Sequence, residues 1–200
     1  MLELFRLKIH RCVLGALAAG LCLVSLRAMA ADPGVTDKEI VLGQSISLKG
    51  GKDTYGVAAH AGMKLYFDNV NAAGGVGGRR IVLRTLDDEG KGPTAEANAR
   101  KLVSEGAFIL FGSLEGGPST AVAKVAQESG VPLFGPMAGP PGLRRPYKSM
   151  VFPVRAEHRE EFRALMAWGK SIGLKTVGFL HVDGANGLEH LGNVKRFAQE

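Results

Sequence analysis

The sequence predicts an α/β protein in which a parallel sheet is covered by helices on both faces, giving three layers. Short apolar segments rich in β-branched residues alternate with longer segments of helical periodicity, and this alternation indicates right-handed βαβ units. Glycine accounts for 28 of the 200 residues, and most glycines lie in short clusters between the apolar segments, where they favour tight turns. We therefore expect one three-layer lobe followed by the start of a similar second lobe.

Four strands and three helices alternate along the first predicted lobe. The strands are expected at residues 40–47, 81–86, 108–111 and 131–134, and the helices at 56–73, 93–105 and 119–129. Apolar residues repeat on one face of the first helix, which we expect to point inward: Ala59, Met63, Tyr66, Phe67 and Val70. The glycine cluster that follows this helix ends it.

The region after the fourth strand is expected to lead into the second lobe. Residues 136–142 contain too much Gly and Pro for a helix or a strand and predict a loop at the boundary between lobes. A crossing strand is expected at 150–154, a helix at 157–172 with Trp168 facing inward, a further strand at 176–182 and a helix at 187–200. The predicted organisation is thus a signal peptide at 1–30, an N-terminal α/β lobe at 31–153 and the incomplete start of a second lobe at 154–200.

The N-terminus has the pattern of a secretory signal. Basic residues Arg6, Lys8 and Arg11 precede an apolar stretch at 13–26, and Ala28-Met29-Ala30 fits an A-x-A cleavage site. The stretch is shorter than the ~20 residues that a membrane-spanning helix needs. We expect cleavage after Ala30 and release into the periplasm.

Loss of this leader changes the charge and the thiol content. The leader holds four of the 25 basic and one of the 19 acidic residues, so the net charge falls from +6 to +3. This weakens the case for nucleic-acid binding. Both cysteines, Cys12 and Cys22, also lie in the leader, so the mature chain is expected to have neither a disulfide nor a cysteine nucleophile. Neither cysteine follows the pattern that directs lipid attachment.

We find no sequence motif that indicates catalysis or metal binding. No strand end carries a Gly-x-Ser-x-Gly turn, an HExxH pair or a phosphate loop. The run Asp87-Asp88-Glu89 is interpreted as a solvated loop edge, because a cation site needs more converging oxygens. The histidines His60, His158, His181 and His190 lack metal-ligand spacing and are interpreted as structural or surface residues. We expect no enzymatic activity, no cofactor and no metal.

Several short strings, in order, resemble a known family. They are Tyr55-Gly56 behind the Gly-rich loop that ends the first strand, the segment 71–79 with the sequence NAAGGVGGR, Asp87-Asp88 after the second strand, Phe111-Gly112-Ser113 after the third, and the segment 130–136 with the sequence GVPLFGP. Their order and spacing over about residues 37–200 resemble the leucine/isoleucine/valine-binding receptors of ABC importers, which have the type I periplasmic binding fold. The resemblance implies a protein whose two lobes close on a small amino-acid-like or carboxylate solute and then dock on an inner-membrane permease. A periplasmic sensor or regulatory module of the same fold is the alternative.

Because members of this family are nearly twice as long, the resemblance also implies a truncated chain. The predicted strand 176–182 would then have few partners, so we expect Val177, Phe179 and Leu180 to be exposed.

The expected ligand site lies at the carboxyl ends of the strands, where loops and helix N-termini converge. The helix predicted to begin near Ser119 would offer free backbone N–H groups to an anion. The resemblance implies that the loops after the third and fourth strands hold the carboxylate and amino group of the solute. The candidate ligand-binding residues are Ser47, Tyr55, Ser113, Leu114, Glu115, Gly116, Ser119, Met137, Ala138, Gly139 and Asn186.

Three of these positions leave the identity of the solute undecided. The resemblance implies side-chain hydroxyls where Gly116 and Gly139 stand and an aromatic ring where Asn186 stands. The candidate solutes therefore include a small carboxylate, an amide and an aromatic acid as well as leucine-type solutes. Two further alternatives stay open: Ser119 and Thr120 could serve only as helix caps, and Glu115 could meet a solute ammonium or stay in solvent.

Overall fold

A parallel sheet of five strands organises the part of the chain that the structure describes. The computed structural model describes residues 32–49, 53–181 and 183–200, with the side chains of Asp53, Ala185 and Asn186 excepted. The predicted signal peptide lies outside these residues. The strands are β1 (Glu39–Ile46), β2 (Arg80–Asp87), β3 (Ile109–Phe111), β4 (Leu133–Phe134) and β5 (Val151–Phe152).

The strand order is β2-β1-β3-β4-β5, and every neighbouring pair is parallel. The β1–β2 pair is the longest and runs from Glu39 opposite Arg80 to Ile46 opposite Asp87. The chain adds β2 on one side of β1 and the later strands on the other side. The carboxyl ends of β1 and β3 therefore form the topological switch point, where open α/β sheets bind ligands.

Five α-helices and one short 3-10 helix occur among the described residues. They are α1 (Asp53–Ala72), α2 (Gly92–Ser104), α3 (Gly116–Ser129), the 3-10 helix (Pro141–Leu143), α4 (His158–Ser171) and α5 (Ala185–Gln199). Helix α2 begins with Pro93 in its first turn, as predicted. Helix α3 ends at Gly130, whose φ of 72° gives the left-handed C-cap that favours glycine. The predicted α/β class with a parallel sheet and flanking helices is confirmed.

Successive residues of a strand point to opposite faces of the sheet, and β1 shows which helices cover each face. Gln44 contacts Met63 and His60 of α1, whereas Ser45 contacts Asn98 of α2. The face toward α2 and α3 holds the main core. Its buried residues are Ala95, Ala99, Leu102, Ala107, Leu110, Val122, Ala123, Val125, Ala126, Leu133, Ala138, Leu143 and Val151.

The face toward α1 is covered only in part by the described residues. The rings of Phe67 and Phe111 meet edge to face at 5.3 Å, and Phe111 stacks on Phe134 at 6.4 Å. Farther along the sheet, Phe134 and Phe152 remain 49% and 48% exposed. The third layer is therefore incomplete over β4 and β5.

Several predictions for the helices and for residues 174–181 are wrong. Residues 174–181 form no strand, because the described residues supply no neighbouring strand with which they could pair. Val177 and Leu180 are accordingly 52% and 97% exposed, as expected of a segment without partners, and Phe179 is partly buried. Trp168 is 58% exposed instead of facing inward, because α4 has no buried residue. Tyr66 is also exposed, whereas the other four residues predicted to point inward, Ala59, Met63, Phe67 and Val70, are half-buried.

No helix in the described part of the chain has the length and apolar content needed to cross a membrane.

Candidate functional site

An open cleft of about 550 Å³ lies at the carboxyl edge of the sheet. Each wall follows a strand: Tyr55 lies in the first turn of α1 after β1, Leu114 and Glu115 follow β3, and Met137 follows β4. Val154 and Arg155 complete the lining after β5. We call this group of six residues the carboxyl-edge cleft. It occupies the position that the strand order predicts for a ligand.

The lining of the carboxyl-edge cleft is mainly apolar with two charged groups. Tyr55, Met137 and Val154 are 75%, 42% and 61% exposed, and exposed apolar side chains gathered in one concave surface are typical of binding sites. Arg155 donates from Nε and Nη2 to the two carboxylate oxygens of Glu161, at 2.7 and 2.8 Å. These hydrogen bonds raise the pKa of Arg155. The cleft can therefore offer both an apolar wall and a guanidinium that its ion pair with Glu161 holds in place.

Helix α3 directs its N-terminus toward this edge, and it starts earlier than predicted. Its N-cap is Glu115, whose side chain makes no capping hydrogen bond to the helix. Ser119 is already within the helix, because its N–H donates to the carbonyl of Glu115 at 2.8 Å. Thr120 donates its hydroxyl to the carbonyl of Gly116 at 2.8 Å. The alternative that Ser119 and Thr120 only cap the helix is therefore wrong.

The hydroxyls of three candidate residues are turned into the protein. Ser113 donates from Oγ to Ser119 Oγ at 2.8 Å, and both residues are buried. Ser47 is 2% exposed and donates its hydroxyl to the carbonyl of Lys49 at 3.0 Å. These three serines shape the loops behind the cleft.

The loop after β4 is fixed by backbone and arginine hydrogen bonds. The N–H of Met137 donates to the carbonyl of Ser113 at 2.8 Å, which joins this loop to the one after β3. The guanidinium of Arg144 donates to the carbonyls of Pro140 and Ala138, both at 3.2 Å, and to the carbonyl of Arg155. Burial lowers the pKa of Arg144.

His158 lies directly against Gly139 of the same loop. Its backbone N–H donates to the Gly139 carbonyl at 3.0 Å, and a Cβ added at Gly139 would stand 2.2 Å from Cδ2 and 2.5 Å from Nε2 of the ring. On its other side, His158 Nδ1 is 3.0 Å from Nε2 of His190. Burial, followed by the charges of His190 and Arg155, lowers the pKa of His158.

A buried acidic group supports the loop after β2. Asp88 is 1% exposed and accepts hydrogen bonds from Ser45 Oγ and the Gly90 N–H, both at 2.9 Å. The expectation that this acidic run is wholly solvated is therefore wrong at Asp88, because the residue turns inward beneath the loop. Burial raises the pKa of Asp88. No group of three or more His, Cys, Asp or Glu side chains within the described ranges could hold a metal ion.

The structure brings together four of the eleven candidate residues, namely Tyr55, Leu114, Glu115 and Met137, in the carboxyl-edge cleft. Ser47, Ser113, Ser119 and Ala138 are buried behind it, Gly116 starts α3, and Gly139 lies under His158. The side chain of Asn186 lies outside the described residues. Sequence reasoning missed Val154, Arg155 and His158. His158 and His190 are 32 residues apart, so spacing gave no signal for their contact.

A parallel lobe with an open cleft at the carboxyl edge of its sheet is the architecture of α/β ligand-binding proteins. The family model described as periplasmic binding protein matches residues 39–200. The chain belongs to this family, as a type I periplasmic binding protein of the Leu/Ile/Val-binding group.

Individual relatives agree with this assignment. The chain is 27% identical over 169 residues to Leu/Ile/Val-binding protein homolog 3 of Brucella melitensis, a match that covers 82% of this chain and 46% of that protein. A substrate-binding periplasmic protein from Ralstonia solanacearum superposes with a TM-score of 0.72 at 30% identity, over 80% of this chain and 45% of that one. The branched-chain amino acid transporter substrate-binding protein LivJ of Streptococcus pneumoniae, solved with isoleucine, gives 0.62 at 25% identity, over 66% and 38%. The chain spans less than half the length of each of these proteins.

Proposed function

We propose that this chain is the periplasmic solute-binding component of an ABC importer and captures a small amino-acid-like or carboxylate solute between two lobes. The observation that carries the proposal is the carboxyl-edge cleft, where an apolar wall and a fixed cation meet at the switch point of a parallel sheet. The names of the relatives agree with this proposal. One is a Leu/Ile/Val-binding protein homolog, and another is a branched-chain amino acid transporter substrate-binding protein solved with isoleucine.

The contacts available in the cleft suit a solute with a carboxylate and an apolar body. The first N–H groups of α3 and the positive end of its dipole attract an anion, and Arg155 places its guanidinium, held by Glu161, in the lining of the cleft. Tyr55, Leu114, Met137 and Val154 provide apolar surface for the rest of the solute. Glu115 is the group that an ammonium would meet. Binding of this kind breaks no covalent bond, so the proposed role is transport without catalysis.

The remaining parts of the proposal concern the whole protein. Residues 31–153 would form one wall of the closed site, and residues 154–200 would start the second lobe, which swings over the cleft. Residues 1–30 would direct export and would be removed after Ala30 during it. The partner would be the permease of the importer in the inner membrane, with no role for nucleic acid.

A solute screen by thermal shift tests the proposed function. The probes are L-leucine, L-isoleucine, succinate, benzoate and acetamide, each added to the purified chain. A solute at ~100 times its dissociation constant adds about 2.7 kcal/mol to the free energy of unfolding, so a true ligand raises the Tm. Arg155→Gln should reduce the shift given by carboxylates, whereas Arg163→Gln, which removes an exposed arginine paired with Glu160, is the matched control. Unchanged melting with every probe would contradict the proposal.

A further inference from the structure

We propose that the imidazoles of His158 and His190 form a pH-sensitive link, which fastens the beginning of α5 to α4 and to the loop after β4 and which breaks in acid. Neither residue lines the carboxyl-edge cleft, so the inference does not depend on the identity of a solute. It predicts that acid frees the first turns of α5 while the sheet and the helices packed on it stay folded.

His158 is the first residue of α4 and contacts both of its neighbours in space. Its backbone N–H donates to the carbonyl of Gly139 at 3.0 Å, and its ring occupies the space where a Cβ at Gly139 would stand. On the other side, its Nδ1 lies 3.0 Å from Nε2 of His190 in α5. One side chain therefore connects the loop after β4 with α4 and α5.

Two further contacts between α4 and α5 lie farther along the helices. The guanidinium carbon of Arg163 stands 4.9 Å from the centre of the Phe197 ring, and the Lys170 ammonium donates to the carbonyl of Glu200 at 2.7 Å. Arginine and lysine keep their charge throughout the range in which histidine titrates. Loss of the imidazole contact would therefore loosen the beginning of α5 while its far end stays attached.

The hydrogen bond between the two imidazoles tolerates one added proton but not two. The rings meet almost at right angles, at 86°, with their centroids 4.6 Å apart. While one of the two rings is neutral, one nitrogen can donate and the other can accept. When both rings are protonated, all four ring nitrogens carry hydrogen, so no acceptor remains and two positive charges face each other.

His158 resists protonation because of its surroundings. Burial lowers its pKa below the ordinary value of 6.5, and the positive charges of His190 and Arg155 lower it further, whereas Glu161 and Glu189 act in the opposite direction. Both imidazoles are half-buried, so solvent protons can reach them. The link is therefore closed at neutral pH and opens when His158 takes up its proton.

The other charged groups near the ring give a doubly protonated pair little compensation. Glu161 is held by Arg155, and Glu157 by Arg145. The guanidinium of Arg144 donates to backbone carbonyls on both sides of Gly139. Glu189 is exposed, and water and salt screen the charge of an exposed carboxylate.

The sign of the pH effect follows from the lowered pKa. Below about pH 6.5 the unfolded chain binds a proton at this histidine more readily than the folded chain does. The stability contributed by neutral His158 is therefore complete above that pH and declines as the pH falls toward the folded pKa.

Hydrogen exchange of the full chain between pH 7.5 and 5.0, measured by mass spectrometry and corrected for the pH dependence of the intrinsic rate, tests the link. Amides of residues 185–193 should lose protection roughly 3- to 10-fold over this range, the effect of losing one hydrogen bond of about 0.5–1.5 kcal/mol. Amides of α2 serve as the internal reference and should show no comparable loss.

Variants assign the response to the imidazole pair. His158→Gln and His190→Gln each keep a donor and an acceptor at the contact but remove one titrating ring, so exchange of residues 185–193 should become nearly independent of pH. His60→Gln is the matched control, because His60 bonds to Gln44 beneath α1, and it should keep the full response.

A second measurement uses the wild-type chain and does not depend on the variants folding. Nitrogen-15 NMR of the imidazoles should show a titration midpoint for His158 below 6.5, and protection of residues 185–193 should fall around that same midpoint.

Three outcomes would each overturn the proposal: unchanged protection of residues 185–193 down to pH 5.0, a His158→Gln variant that responds as the wild type does, or a His158 midpoint at or above 6.5. None of these measurements contains a solute, so failure of the link leaves the proposed function standing, and failure of the solute screen leaves the link standing.

Discussion

The hydroxyl groups of Ser113 and Ser119 are hydrogen-bonded to each other at 2.8 Å inside the protein, and Ser119 has no exposed surface. The bond joins the end of β3 to the first turns of α3. It therefore holds the loop that carries Leu114 and Glu115 into the carboxyl-edge cleft.

Removal of either hydroxyl should destabilise the protein. Ser119→Ala leaves the buried Ser113 hydroxyl without its partner, which costs about 1–3 kcal/mol. The double variant with Ser113→Ala should cost less than the sum of the two single changes, because no orphaned hydroxyl remains. Thr120→Ala, at an exposed neighbour, should change stability by at most about 0.5 kcal/mol. Urea unfolding of the four variants gives the comparison, and strict additivity would argue against the bond.

Gly56 provides the second prediction, because helix α1 packs there directly on the end of β1. A Cβ at Gly56 would lie only 1.5 Å from the carbonyl oxygen of Ser47, so Gly56→Ala forces the helix away from the sheet at a cost of about 1–3 kcal/mol or more. The same helix contains its own control. Gly62 has no neighbour within 4 Å of the added Cβ, and Gly62→Ala should stabilise by about 0.4–1 kcal/mol. Thermal unfolding of the two variants should move Tm in opposite directions.

The parts of the fold that the sequence predicts correctly are those that local pattern determines. The β-branched segments and glycine turns place all five strands within a few residues, and the glycine clusters mark where helices end. The sequence places the start of α3 too late, because serine is a common N-cap residue and Ser119 suggests one. In the structure the helix begins at Gly116, and the side chain of its N-cap residue, Glu115, makes no capping hydrogen bond. Residues 174–181 have the sequence pattern of a strand, but a strand forms only beside a neighbouring strand. The presence of that neighbour depends on the tertiary structure and not on the local sequence.

The candidate site was predictable at the level of loops and much less at the level of side chains. Loops after the strands follow from topology, which is why Tyr55, Leu114, Glu115 and Met137 gather in the cleft. Whether a hydroxyl faces the cleft or the interior depends on tertiary packing, as the buried pair Ser113 and Ser119 shows. The approach of His158 to Gly139 likewise depends on where α4 packs.

A third prediction concerns Gly139 and His158 as a pair. Gly139→Ala places a methyl group within 2.2 Å of the imidazole, so the ring must move, and stability should fall by about 1–3 kcal/mol. In a His158→Ala background the space is free, so the same change should cost much less. A double-mutant cycle from urea unfolding measures this coupling, which contacting residues show at about 0.5–3 kcal/mol. Zero coupling would contradict the packing described.

A fourth prediction concerns the apolar groove between α4 and α5. This groove measures about 840 Å³, and its lining includes Trp168, Leu174 and Val177. All three side chains are more than half exposed, and apolar surface of this extent promotes association. Val177→Lys should therefore reduce self-association in sedimentation velocity, whereas Leu65→Lys, at an exposed leucine on α1, should have little effect. Equal behaviour of the two variants would show that the groove is not the associating surface.

The final prediction follows from the buried carboxyl group of Asp88. Burial raises its pKa in the folded protein above the ordinary value of 3.8, so between these two values the folded chain binds more protons than the unfolded chain. The contribution of Asp88 to the free energy of unfolding is then largest at low pH and declines as the pH rises through the folded pKa. Asp88→Asn cannot titrate, and its stability relative to wild type should improve as the pH rises from about 3 to 7. Ser45→Ala removes a hydrogen bond that favours the charged carboxylate, so it should raise the pKa further and make the decline with pH larger. Urea unfolding at a series of pH values measures both effects, and a wild-type stability that rises relative to Asp88→Asn over this range would show that hydrogen bonding outweighs burial at Asp88.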